Sequence, residues 1–275
     1  MVRLDEIGYW SEIKLDIVRE YAAAYSKIMN NQTFIRSYYY IDGFAGAGVH
    51  VSKQTGQSIP GSPANALQIE PPFSGYYFID LDGNKAALLQ ELARAAENVS
   101  VYSGDCNTVL LNEIFPKIQY AAYVRALCLL DPYGLHLDWT VIQTAGQSRA
   151  IEIFLNFPLM DMQMNVLKHH PEKVSPQQQE RMNLFWGDDS WRRIAYKQDR
   201  GLFGPIEQRE PHEVLVQAFK ERLQDVAGFR CVPEPIPMRN TKGGIVYYLF
   251  FASPNNTGSK IVHDIFSKYR NRGAP

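Results

Sequence analysis

The chain has 275 residues, of which 45% are hydrophobic and 21% charged, with a formal net charge of −1. That composition suits one folded α/β domain, or one domain with an embellishment. It excludes a disordered chain and a uniformly basic nucleic-acid binder, leaving only a local basic face for such a partner. Cys106, Cys128 and Cys231 are scattered, with no CxxC pair and no histidine cluster at ligand spacing, which argues for a reducing cytoplasm and against a structural metal. Charges interrupt the opening MVRLDEIGYW before an apolar core can form, so no signal peptide is expected, and no apolar run approaches a membrane span.

Taken in chain order, WSEIKLDIVREYAAAYSKIMN (10–30) repeats apolar residues every three or four positions and is predicted helical, within an N-terminal helical segment covering 1–35. SYYYID (37–42) reads as a strand. GSPANALQIE (61–70) opens a helix with Ser62 as its N-cap and Pro63 at the first helical position. GYYFID (75–80) is a second strand, followed by a helix over 84–98, a strand over 99–105 and a short helix over 108–115. ALCLLD (126–131) is a continuous apolar run, as a strand covered on both faces requires, and IEIFLNFP (151–158) is a fifth strand. Strands alternating with helices predict a doubly wound, mostly parallel α/β sheet. The stretch 159–211 is polar and broken by prolines, with balanced charge, and is expected to be a helical insertion over the substrate side of a single domain spanning 1–275. An amphipathic helix over 211–228 ends at Gly228. FRCVPEPIPMRN, TKGG and IVYYLFFAS then form strand, turn and strand, a C-terminal antiparallel hairpin, before a closing helix GSKIVHDIFSKYR.

Four strands end in Asp42, Asp80, Asp105 and Asp131, and Asn156 closes the fifth. Any one such aspartate is as often a helix cap as a ligand group. Together they mark the carboxyl edge of the sheet, where open α/β folds bind ligands. DGFAGAG (42–48) places Gly43, Gly46 and Gly48 in the order G-x-x-G-x-G, which is neither the dinucleotide fingerprint nor a phosphate loop, since no GK[ST] follows. Bare backbone beside Asp42 suits a flat or zwitterionic ligand with a cationic group. Cys106 has no histidine nearby in sequence to activate it, which argues against a nucleophile. His169 and His170 are adjacent and point to different helix faces, so no shared metal is expected.

YIDGFAGAG, with an acid at the end of the next strand, resembles motifs I and II of the class I S-adenosylmethionine-dependent methyltransferases. Through YYYIDGFAGAG, IPGSPANAL, YYFIDLD, SGDCN, LLDPYGLHLDW, FLNFP and KGGIVYYLFFAS, most of 10–270 resembles the three-Cys-motif partner protein family. More distantly the chain is similar to large-subunit ribosomal RNA adenine-N6 methyltransferases carrying HAGAG, PGSP, ELHP and DPPY. The resemblance implies a methyltransferase-like, seven-stranded sheet and S-adenosylmethionine as cofactor. By the same likeness, Gly43, Phe44, Gly46 and Gly48 would line the methionine portion with Asp42 near the cationic centre. Ser62 would be a further contact, Asp80 or Asp82 would bind the ribose, and Asp105 with Cys106 the adenine. DPYG (131–134) stands at the catalytic position of amino-methyltransferases, where an acid and a proline carbonyl accept the target amine's hydrogens. Asp131 and Pro132 match that motif, Tyr133 replaces its second proline, and Gly134 replaces its aromatic residue. Tyr133, Phe157, Trp186 and Trp191 are the candidate planar surfaces for a base taken out of its stack.

The function implied is N-methylation of a nucleic-acid base, in RNA rather than DNA. The rival is a binding or regulatory module that works with a three-Cys-motif protein without transferring methyl. A nuclease would need a carboxylate cluster with a D-x-[DE]-x-K signature, which is missing from the sequence. Neither a metal nor a membrane partner is expected.

Overall fold

The computed structural model describes residues 4–94, 96–201 and 204–270. Its centre is a seven-stranded sheet, and the order of the strands follows from which of them are apolar throughout. The elements run β1 (Glu6–Ile7), α1 (Tyr9–Asn31), β2 (Ser37–Asp42), β3 (Val49–Ser52), β4 (Ser58–Pro60), α2 (Ser62–Leu67), β5 (Gly75–Asp80), α3 (Gly83–Leu92), β6 (Val99–Ser103), α4 (Cys106–Val109), β7 (Val124–Leu130), α5 (Trp139–Ser148) and β8 (Ile151–Phe157). They continue with α6 (Leu159–Asn165), α7 (Pro176–Trp186), α8 (Trp191–Ala195), β9 (Tyr196–Gly201), β10 (Gly204–Arg209), α9 (His212–Asp225), β11 (Ile236–Arg239), β12 (Ile245–Ala252) and α10 (Asn256–Arg270). The main sheet has the order β11-β12-β8-β7-β2-β5-β6. β6, β5, β2, β7 and β8 are parallel, β12 runs antiparallel to β8, and β11 pairs antiparallel with β12 as the expected hairpin.

β7 and β8 show why the centre is stable. Val124, Ala126, Cys128 and Leu130 of β7, with Ile151, Ile153, Leu155 and Phe157 of β8, bury into a core shared with α5, α7 and α9. The alternate residues Leu127, Leu129 and Phe154 point the other way, into a core closed by α1, α2 and α10. Side chains alternate faces along a strand, so only a helix layer on each side makes such sequences soluble. Each large side chain so buried contributes roughly 1.5–3 kcal/mol before chain entropy is set against it. Asp42 then falls at the tip of the central strand, opposite Phe78 on one side and Leu129 on the other.

Four features differ from the sequence-based expectation. α5 fills the crossover between the fourth and fifth strands, where no helix is signalled. Its segment WTVIQTAGQS carries β-branched residues and an interior glycine, both poor for helix propensity. Gly146 is nevertheless required, because a Cβ there would strike the backbone of Ala227. A small sheet of order β1-β3-β4 lies beside the main one. Its strands are two to four residues long, too short to show a period. The insertion is helical only as far as Ala195 and ends in the antiparallel ribbon β9–β10. YKQDRG and GPIEQR are almost wholly polar, so no alternating apolar pattern announces strands. Finally, α2 is capped by Gly61, and Ser62 is the first helical residue rather than the cap.

Candidate active site

Three backbone N–H groups, two bonded to backbone and one to a side chain, lay the glycine turn across the strand tips. Gly43 N donates to Leu129 O and Ala45 N to Ile79 O, each at 2.9 Å, and Gly46 N donates to Asp80 Oδ2 at 2.8 Å. Gly46 and Gly48 have φ of 64° and 76°, the left-handed region that glycine enters freely. Their missing side chains serve different ends. A Cβ on Gly48 would sit 2.7 Å from Leu92 Cδ2, and one on Gly43 would sit 2.8 Å from Cys106 Sγ, so both positions are about packing. At Gly46 the nearest atom is His50 Cε1, 3.7 Å away. Only Gly46 and the neighbouring Phe44 open onto a cavity of about 180 Å³, together with Lys14, His50, Ser62, Asp131, Pro132, Tyr133, Asn156 and Tyr247.

Within this cavity Asp131 is fixed from two sides. Asn156 Nδ2 donates to its Oδ1 at 2.8 Å, and Lys14 Nζ forms an ion pair with its Oδ2. The Lys14 side chain is 9% exposed and that of Asp131 26%, so the pair sits at the cavity wall rather than in open solvent. Asp42 lies behind it and is wholly buried. Its Oδ1 accepts from Phe44 N at 3.2 Å, while Oδ2 has no hydrogen-bond partner. Burial raises the Asp42 pKa to about 7, against the opposing influence of the Ser62 hydroxyl and the Phe44 N–H. His50 is part-buried, its Nδ1 is unpartnered, and burial with the nearby Lys14 charge lowers its pKa below the ordinary 6.5.

The remaining predicted residues divide into two groups. Asp80, 8% exposed, accepts from Gly46 N through Oδ2 and from Asp82 N through Oδ1 at 2.9 Å, leaving one further lone pair on each oxygen. Asp82 is the N-cap of α3, accepting from Asn84 N, and Asp105 is the N-cap of α4, accepting from Thr108 N, both at 2.9 Å. Cys106 is buried, and its thiol pKa is pushed well up by burial and then by Asp105. These four stand along the β5 and β6 tips, outside the cavity. Of the four aromatic candidates only Tyr133 faces solvent, at 62% exposure, with its hydroxyl donating to Asp5 Oδ2 at 3.1 Å. Phe157, Trp186 and Trp191 are buried in the core beneath α5 and α9, where they cannot receive a base. Among the described residues no group of three His, Cys, Asp or Glu side chains converges to hold a metal ion, and no helix is long and apolar enough to cross a membrane.

No family model matches the chain, and no curated protein matches it. Among solved structures, protein LPL1258 from Legionella pneumophila, of the domain family DUF519, superposes with a TM-score of 0.54 at 11% identity, covering 97% of this chain and 94% of that one. The two share a fold over almost their whole lengths. Looser likenesses are to the CurJ carbon methyltransferase (TM-score 0.40, 13% identity, 84% of this chain and 53% of that one) and the DszA carbon methyltransferase (0.37, 11%, 83% and 50%). Likeness that loose carries no chemistry across. The strand order and the antiparallel penultimate position of β12 make the fold class I methyltransferase-like.

Three residues, two lining the cavity and one at the β5 tip outside it, escape a reading of motifs alone. Lys14 lies on the stripe Lys14, Ile17, Tyr21, Tyr25 of α1, otherwise buried and uncharged. A lysine in such a stripe needs a partner, and that is a signal available in sequence. His50 follows the last glycine by two positions in a strand too short to recognise. Leu81, directly after Asp80, is 76% exposed at the strand tips, a burial fact no pattern foretells.

Proposed function

We propose that the protein is an S-adenosylmethionine-dependent methyltransferase acting on a nitrogen of a nucleic-acid base, in RNA rather than DNA. One observation carries this reading: Asp131, held by Asn156 and Lys14, opens into the same cavity as the glycine turn, with the exposed ring of Tyr133 at its rim. The residues present fit the cofactor. Asp42 Oδ2 is a buried acceptor without a hydrogen-bond partner, Gly46 leaves backbone bare, and Asp80 keeps lone pairs for two hydroxyls. Asp42, Phe44, Gly46 and Ser62 would hold the methionine portion. Asp80 would hold the ribose, and Leu81 with Asp105 would receive the adenine. Bound there, the cofactor supplies an electrophilic methyl group on a sulfonium centre.

The chain's own residues do the rest by positioning. The Asp131 carboxylate and the Pro132 carbonyl accept the hydrogens of a target amine and so direct its lone pair. Tyr133 offers a face for the flipped base. His50, held neutral by burial and lining the cavity, takes the proton that the amine loses. Calorimetry with S-adenosylmethionine and S-adenosylhomocysteine, followed by labelled-methyl transfer into fractionated RNA, DNA and protein, tests the reading. Micromolar binding lost in Asp80→Ala, with label in RNA, supports it. No heat at millimolar cofactor, or label in protein alone, removes it. The Lys14–Asp131 pair favours one rival, because both Asp131 oxygens are already engaged. That rival binds cofactor in concert with a partner such as a three-Cys-motif protein and transfers nothing, so cofactor heat without label in any fraction would select it.

A further inference from the structure

A second cavity, about 740 Å³, lies at the opposite, amino-terminal edge of the sheet, between the end of α1, the start of β7 and the loop before α10. Its volume falls in the range of small-molecule sites. Three arginines line it, Arg125, Arg149 and Arg230, and none forms an ion pair with a carboxylate of the described residues. The one acid in the wall, Glu152, is 3% exposed and already taken. Its Oε2 accepts from the Tyr21 hydroxyl and its Oε1 from Ser253 Oγ and Asn255 Nδ2, both at 2.9 Å. Three like charges therefore gather in one wall of a chain whose overall charge is −1.

Flat surfaces stand beside them. Phe34 and Tyr120 each line the cavity at 55% exposure, and the Arg125 guanidinium lies 4.0 Å from the Tyr120 ring centroid. Two further observations point to a ligand. Tyr25, 2% exposed, lines the same cavity, and its buried hydroxyl has no hydrogen-bond partner. Arg149 holds φ at 55°, in the C-cap position where glycine is the ordinary residue. An arginine kept in that strained conformation signals a use for its side chain.

We propose that this cavity is a second binding site, for a ligand that joins a phosphate to a planar ring: a nucleotide, free or within a single nucleic-acid strand. The guanidinium forks match phosphate oxygens, the exposed rings accept a base by stacking, and the Tyr25 hydroxyl supplies a buried polar contact. The site is independent of the methyl-transfer reading, since it shares no residue with the other edge.

The test measures binding of AMP, of inorganic phosphate and of a labelled single-stranded RNA of about a dozen nucleotides. Binding of AMP identifies the free ligand as sufficient, and binding of RNA alone identifies the strand. In either case Arg149→Glu with Arg230→Glu should weaken binding by roughly a hundredfold, about tenfold for each lost charge-assisted contact. The salt dependence of RNA binding should fall by about 1.4 in slope. Tyr120→Ala should weaken nucleotide binding while leaving phosphate unchanged. Arg149→Gly removes the strained conformation, so its melting temperature should hold or rise while affinity falls about tenfold, which separates binding from folding. The proposal is overturned if AMP and RNA both fail to bind at millimolar concentration, if the arginine variants bind as well as the wild type, or if inorganic phosphate binds as tightly as AMP.

Discussion

Replacing Asp42 by asparagine gives the sharpest test of how the site is built. The side chain is wholly buried and its carboxyl pKa is raised from 3.8 to about 7, chiefly by burial. An acid whose folded pKa exceeds its unfolded value leaves the fold at full stability below the unfolded pKa and lowers it as pH rises toward the folded one. The gap of about three units corresponds to about 4 kcal/mol, lost progressively between pH 4 and 7 and constant above. Asparagine keeps the shape and an oxygen for the Phe44 N–H but carries no charge. Asp42→Asn should therefore be more stable than the wild type by about 1–2 kcal/mol at pH 5 and about 4 kcal/mol at pH 8. Urea unfolding across that range reads the difference, which should widen by roughly 1 M in midpoint between the two pH values at the slope usual for a chain of this size. The same variant should bind S-adenosylmethionine no better than S-adenosylhomocysteine at pH 8, whereas the wild type prefers the cationic form increasingly above pH 7. A stability gain that does not change with pH, or a loss that deepens as pH rises, would refute the reasoning, because it would mean that the buried carboxylate is compensated in the fold.

Other expectations follow from single contacts. Asp131→Asn should retain cofactor affinity and lose transfer by about a hundredfold or more, measured by labelled-methyl incorporation; equal turnover would make Asp131 structural. Lys14→Met leaves Asp131 facing the cavity without its cation and should cost about 2 kcal/mol in denaturant unfolding, mostly regained when Asp131→Asn is added. Gly46→Ala should cost only about 1 kcal/mol in stability yet abolish cofactor heat, since its Cβ has room in the fold but enters the cavity. Gly48→Ala, which meets Leu92 as well as an unfavourable φ, should cost about 2–3 kcal/mol in the same unfolding experiment. Because His50 stays neutral below its ordinary range, transfer by the wild type should persist as pH falls through 6.5, and a rate already halved above that value would remove His50 as the proton acceptor.

Elements with their own period were legible in sequence. β7 and β8 announce themselves because both faces are apolar, and α1 because its buried residues recur each turn. What stayed hidden lacks that redundancy. β9 and β10 have almost wholly polar sequences, and α5 is held helical by what packs on it rather than by its residues. The strand tips were legible as a set but not in their separate duties. Asp82 and Asp105 cap helices, while Asp42 is buried with a free oxygen, and only three-dimensional placement separates them. The tryptophans of the insertion have the right chemistry for a base platform and the wrong location, since residues so large are drawn to the core first.

The short parallel pairing of β1 with β3 has a mechanical outcome. Val51 N donates to Asp5 O and Lys53 N to Ile7 O, so the chain leaving the glycine turn is stitched to the residues that lead into α1. One turn further along that helix is Lys14, gripping Asp131. The turn and the ammonium across the cleft are thus tied by one unbroken run of bonded backbone, and both walls of the pocket share a single support.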